Sequence, residues 1–270
     1  MPPRSSWARL ALIAVGMAAA LVGTVGARAD VVHITYRVSL IGLPIGAVNL
    51  NADLTPTSYS IQGDAKATGL VRLFANARGA SAGKGAIVEG HVSPATFATI
   101  AADSHMTRTI RMALAGNTVT GVEISPPFED KPDRVPLGPD DVKGVVDPVG
   151  AVIIPAPASG PIVSPAACER KVPIFDGYTR FDINLTYVGE RRVATKGYEG
   201  PVVVCAARYV PIAGHRRDRP ATKFMADNKD LEVWLAPIEK DHVLIPFRVS
   251  VRTMIGTTVV EATEFRVEDK

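Results

Sequence analysis

The chain has little of what metal or nucleotide chemistry requires. Its five histidines, His33, His91, His105, His215 and His242, stand in no H-x-x-x-H, H-x-H or H-E-x-x-H spacing, so no zinc signature is present. The stretch around Lys84 is no phosphate loop, because Gly85 follows the lysine and the spacing is one residue short. No internal repeat, no low-complexity tail and no alternation of strands with long helices is evident. These absences point away from repeat proteins and from the α/β-hydrolase fold, and no cofactor is expected.

The main long apolar run lies at the N-terminus. Arg4 and Arg9 precede an uncharged stretch from Leu10 to Gly26, and Ala27-Arg28-Ala29 then supplies the small-x-small form that signal peptidase cuts. The run is at the short edge for a membrane span and holds three glycines and a threonine. Residues 1–29 are therefore expected to be a signal peptide cleaved after Ala29, with a periplasmic chain starting at Asp30 that is not transmembrane. No cysteine lies just beyond the cut, which argues against a lipid anchor there.

The formal charge of +3 belongs to the uncut chain. Arg4, Arg9 and Arg28 fall in the leader, which has no acid, so the remainder carries as many acidic as basic residues. A neutral surface has no global attraction for nucleic acid or anionic lipid, and no nucleic-acid partner is expected. Outside the cytoplasm the two cysteines, Cys168 and Cys205, should form a disulfide. The chain-entropy model assigns a loop of that size about 3–4 kcal/mol.

What is present in quantity is strand-forming sequence. In Val32–Leu40, Ile34, Tyr36, Val38 and Leu40 alternate with His33, Thr35, Arg37 and Ser39, the period of a half-buried strand. Gly42 and Pro44 turn the chain into a second run, Ile45 to Leu54, and Tyr59 to Ala65 follows. Thr107–Leu114 and Asn117–Ile124 flank a Gly116-Asn117 hairpin turn. Leu231–Leu235, Pro246–Met254 and Thr257–Val267 complete the pattern. Residues 69–78 fit a helix or a strand equally. Between Asp140 and Ile153, Val142, Val145, Val146, Val149 and Val152 form a helical stripe that Pro148 should split into two short turns. Pro155, Pro157, Pro161, Pro165 and Pro173 mark 155–173 as an extended crossover. The expected fold is mainly β, a large twisted antiparallel sheet, open or half-closed as a barrel, with short helices near 140–153. Residues 30–270 should form one β-rich domain.

Three motifs recur in a familiar order. Gly42-Leu43-Pro44-Ile45-Gly46 opens the first half, Asp147-Pro148 sits in the mid-chain apolar segment, and Phe175-Asp176-Gly177 opens the second half before a cysteine-bearing strand. In this the chain resembles an exported bacterial family catalogued as domain of unknown function 3108. The resemblance implies compartment and architecture and no activity. By looser analogy the chain is similar to half-barrel lipoprotein carriers and to spiral-sheet envelope-integrity proteins, at the level of fold alone.

Candidate chemistry is sparse. Gly79-Ala80-Ser81-Ala82-Gly83 matches the G-x-S-x-G nucleophile pattern, but no helix follows it, and a flexible hairpin explains the same residues. Asp140, Asp141, Asp147 and Asp176 could pair for glycoside chemistry, though Asp is commonest at caps and turns. His215-Arg216-Arg217-Asp218-Arg219 is the densest charge cluster and reads as a solvated loop. No catalytic or metal residue is assigned. The expected function is non-catalytic: an envelope protein that binds an apolar or amphipathic ligand, such as a lipid or acyl chain, or an envelope protein partner, on a concave sheet face. The alternatives are a hydrolase acting on envelope lipid or polymer, and a structural or assembly factor without a small ligand.

Overall fold

The computed structural model describes residues 29–69 and 77–269. The chain forms one antiparallel sheet from two meanders. The first comprises β1 (Asp30–Leu40), β2 (Leu43–Thr55), β3 (Ser58–Ala67), β4 (Arg78–Val88), β5 (His91–Ala102), β6 (Thr107–Ala115) and β7 (Thr118–Ser125). The second comprises β9 (Arg170–Phe175), β10 (Arg180–Thr195), β11 (Tyr198–Ala213), β12 (Leu231–Ile238), β13 (Val243–Thr253) and β14 (Gly256–Asp269). The terminal strands β1 and β14 pair and join the two meanders, with Ile34 opposite Phe265 and Val38 opposite Val260. A short β8 (Ile154–Pro155) pairs with β13.

Strand formation follows the alternation in the sequence. Val32, Ile34 and Tyr36 are buried on what is here called the inner face, and His33, Thr35 and Arg37 lie on the outer one. The Gly116-Asn117 turn has φ of +54° and +59°, the paired left-handed conformation that a tight two-residue hairpin turn needs.

The edge strands β7 and β9 do not pair with each other. The segment 142–146 lies between them and bonds to both. Val119 N–H donates to Val142 O (2.9 Å) and Val145 N–H to Asn117 O (2.9 Å). Across the gap, Val146 N–H donates to Pro173 O (2.8 Å), and Val146 O accepts from Phe175 N–H (3.0 Å). Backbone groups that would be left open at two sheet edges are thereby satisfied. The chain then enters the sheet interior, where Val145, Val146, Val149 and Ile153 join the core of Val32, Ile34, Leu54, Ile61, Phe97 and Phe265.

Three elements refine or depart from the expected layout. The 140–153 segment, expected to hold two short helical turns split by Pro148, has hydrogen-bonded turns and one 3-10 turn, Gly150–Val152. Asp147 Oδ1 takes the N–H groups of Val149 (2.8 Å) and Gly150 (3.0 Å), Pro148 has none to give, and Gly144 adopts φ +60°, so no continuous helical ladder forms. The α-helix of the described residues is α1 (Pro220–Asp227), just beyond the His215–Arg219 cluster, in a stretch for which no element was expected; Pro220 at its first turn starts it. The Pro-rich crossover ends earlier than 173, because Arg170–Phe175 is strand. Of the ambiguous 69–78 stretch, residues 70–76 lie outside the described residues.

Cys168 and Cys205 are bonded, with Cα atoms 5.4 Å apart across 37 positions of sequence. The bridge ties the 3-10 turn Pro165–Ala167 to β11, within a second apolar cluster that includes Ile154, Val203, Leu235 and Leu244.

Candidate functional site

The inner face changes character along the strands. Near the plug, the stretch 145–153 that enters the sheet interior, it is large and apolar: Val32, Ala52, Ile61, Phe97 and Met112 follow one another across five strands, interrupted by Gly83 on β4. Gly83 lets the plug approach closely there, because a Cβ would stand 3.0 Å from Val149 Cβ and Cγ1. Toward the other end the rows become small. Val48 is followed by Ala65, Gly79 and Ala101, and Gly46 by Ala67. Their size leaves an open trough of about 520 Å³ between Val38, Val48, Ala65, Gly79 and Ala101, with Arg108 at its far wall.

The same face holds a second, more enclosed hollow in the other meander. It measures about 230 Å³ and is walled by Ile154, Val172, Ile174, Ile183, Leu185, Leu231, Val233, Leu235, Val249 and Val251. Glu232 stands at its wall with Oε1 accepting from Trp234 Nε1 at 2.6 Å. Val38, Val260 and Val249 lie side by side on adjacent strands between the two hollows. A broader, open hollow of about 640 Å³ on the outer face is lined by Ala82, Ala98 and Ala113 together with Lys84, Arg111 and Glu123; its Arg111–Glu123 ion pair spans 3.5 Å with both side chains exposed.

The plug is anchored by Asp147, which is wholly buried. Its Oδ1 caps Val149 and Gly150, while Oδ2 and the hydroxyl of Tyr59 find no hydrogen-bond partner among the described residues. Both atoms crowd Gly150, where a Cβ would meet Tyr59 Oη at 2.8 Å and Asp147 Oδ2 at 3.0 Å. Burial pushes the Asp147 carboxyl up, against the pull of the two N–H groups. Burial also raises the Tyr59 phenol, and the Asp147 charge raises it further.

The motif residues divide between two ends of the sheet. Asp147 and Pro148 form the plug. Phe175 bonds to Val146, Asp176 Oδ1 accepts the N–H groups of Tyr178 (2.8 Å) and Thr179 (2.6 Å), and Gly177, at φ +95°, faces Ile110 of β6 where a Cβ would come within 2.5 Å. Phe175, Asp176 and Gly177 thus lie at the seam between β6–β7 and β9–β10. Gly42, Pro44 and Gly46 are at the opposite end, in the β1–β2 turn and the trough.

The structure does not bring the proposed carboxylates together. Asp140 pairs with Lys143 at 2.8 Å, Asp141 Oδ2 accepts from Gly138 N–H at 2.7 Å, and Asp147 and Asp176 each cap a local turn. Ser81 is in the middle of β4, on neither a nucleophile turn nor a hairpin turn, and its hydroxyl shares a 2.8 Å hydrogen bond with Thr99 across the β4–β5 pair. Arg216 binds Asp133 at 2.9 Å, so the charge cluster latches the 126–141 loop to the sheet where a free loop was expected. Among the described residues no group of three or more His, Cys, Asp or Glu is placed to hold a metal ion. No helix of the described residues is long and apolar enough to cross a membrane.

Sequence reasoning noticed Gly46 and Gly79 only as parts of other motifs and passed over Ala65, Ala67 and Ala101, which hollow the trough with them. Their signal is weak, since small residues in β3–β5 read as turn-formers until registers are known.

No curated protein matches the sequence. Among solved structures, the beta-barrel-like protein of domain of unknown function DUF1849 from Brucella abortus is similar over 90% of this chain and 100% of its own, with a TM-score of 0.48 and 9% identity. Residues 35–263 match the model described as protein of unknown function (DUF3108), and the chain is a member of that family.

Proposed function

We propose that this is an exported, non-catalytic envelope protein that holds an acyl chain or similar apolar ligand on the inner face of its sheet. The observation that carries the reading is the hollow walled by aliphatic side chains of five strands and the β8 segment, next to an open trough on the same face. At about 230 Å³ the enclosed hollow is smaller than the roughly 300–1,000 Å³ of sites for drug-sized molecules, so it suits an unbranched chain better than a ring system. Apolar walls and the scarcity of converging polar groups favour retention over chemistry.

The test is displacement of a fluorescent fatty acid from delipidated protein, with Val249→Phe filling the hollow and Leu231→Ala enlarging it. Saturable binding that Val249→Phe removes and Leu231→Ala retains is the expected result. Absence of saturable binding to the unmodified protein would leave a self-contained structural domain.

A further inference from the structure

The turns at the trough end carry a concentration of exposed apolar side chains. Ile41 is 68% exposed, Leu43 70%, Met254 59% and Ile255 72%. The first two belong to the β1–β2 turn and the others to the β13–β14 turn, which are neighbours because β1 pairs with β14. Ile41 N–H donates to Thr257 O at 2.9 Å, and the Ile41 side chain lies directly over Gly256, leaving no room for a Cβ there. The four side chains therefore form one patch. Met106, in the β5–β6 turn at the same end of the sheet, is 46% exposed and borders the trough.

Ile41 is also strained. Its φ of +51° lies in the left-handed region, which Gly, Asn and Asp tolerate and a β-branched residue does not. An isoleucine held there with two thirds of its surface in solvent, its side chain over Gly256, gains little from packing to offset the strain. An outlier of this kind is grounds for seeking a role for the side chain itself.

Charge narrows the partner. No charged residue occurs between Arg37 and Asp53, nor between Arg252 and Glu261, so neither hairpin tip offers an ion pair to a protein surface. Area narrows it further. Four such side chains present a few hundred Å², short of the roughly 800 Å² per partner that a stable protein interface buries. A bilayer surface needs neither charge nor shape complementarity from projecting apolar tips.

We propose that the paired β1–β2 and β13–β14 turns dock this protein on a lipid bilayer through Ile41, Leu43, Met254 and Ile255, with the mouth of the trough facing the membrane. This names the source of the ligand in the reading above and rests on that reading for its purpose, but the two can fail separately.

Co-sedimentation of the chain from residue 30 with vesicles tests it, using phosphatidylethanolamine–phosphatidylglycerol vesicles and vesicles of phosphatidylcholine alone. The unmodified protein should partition onto both, and high salt should not release it. Leu43→Ser with Ile255→Ser should lower partitioning at least tenfold. Ile41→Asn should lower it several-fold while melting no lower than the unmodified protein, because Asn accepts the left-handed turn. Fatty-acid probe binding without vesicles should be unchanged in both variants, so failure of the ligand reading would show there alone. The proposal is overturned if the unmodified protein stays in solution with both vesicles, or if the variants partition equally. It is also overturned if binding needs the anionic lipid and is lost in salt, or if the substitutions instead abolish a dimer seen by light scattering.

Discussion

The hydroxyl of Tyr36 donates to the carbonyl oxygen of Pro246 at 2.7 Å, across 210 positions of sequence. Tyr36 is on β1 and Pro246 on β13, and the ring reaches past Ala262 of the intervening β14. Pro246 borders the enclosed hollow, so this bond fixes the wall between hollow and trough. Burial holds the phenol protonated throughout the physiological range. Tyr36→Phe should lower stability in urea by about 1–3 kcal/mol, the cost of leaving a buried carbonyl unpaired, with little change in the slope of the transition.

The Cys168–Cys205 bridge closes 37 positions that include β9 and β10. Cys205→Ser should cost about 2–4 kcal/mol and lower the melting temperature, and the unfolded, unreduced protein should titrate no free thiol.

Burial raises the carboxyls of Asp147, Asp176 and Asp241, the last to about 6 with the charge of Asp30 adding to the effect of desolvation. A carboxyl raised on folding binds its proton more tightly in the folded chain. The stability it lends is present in acid and lost as pH rises through the folded value. Asp241→Asn should thus change little near pH 4 and stabilise the fold at pH 8 by roughly 1–3 kcal/mol. Equal effects at both pH values would show that Asp241 does not titrate in this way.

Gly83 and Gly121 offer a matched pair. A Cβ at Gly83 meets Val149 and Asp147 of the plug, whereas one at Gly121 meets nothing within 4 Å. Gly83→Val should destabilise by about 1–3 kcal/mol through overpacking. Gly121→Val should stay within about 0.5 kcal/mol of the unmodified protein.

How far the sequence announces this structure depends on the element. The period-two runs of β1, β6–β7 and β13–β14 are legible because one face of each is apolar, and Gly116-Asn117 announces its turn through the backbone conformation it tolerates. The strands β4, β5, β10 and β11 are less so. β4 is built of Gly, Ala and Ser, and β11 has Val202, Val203, Val204 and Cys205 buried in succession, which erases alternation. The plug misleads because its valines keep helical spacing, while the Asp147 cap and Pro148 remove the donors a helix would use. Among candidate site residues, the cysteine pair was readable from count and compartment. The hollows were not, since they arise from registers that set Ala65 beside Gly79 and Val249 beside Val260.

The central claim is that an apolar chain occupies the inner face. A fatty acid bearing a photoactivatable diazirine, irradiated with delipidated protein and mapped by peptide mass spectrometry, tests this by location. Adducts should fall on the peptides carrying Val172–Ile174, Leu231–Leu235 and Val249–Val251, and Val249→Phe should remove them. Adducts confined to the outer hollow at Lys84 and Arg111, or labelling that an excess of unmodified fatty acid does not compete away, would contradict it.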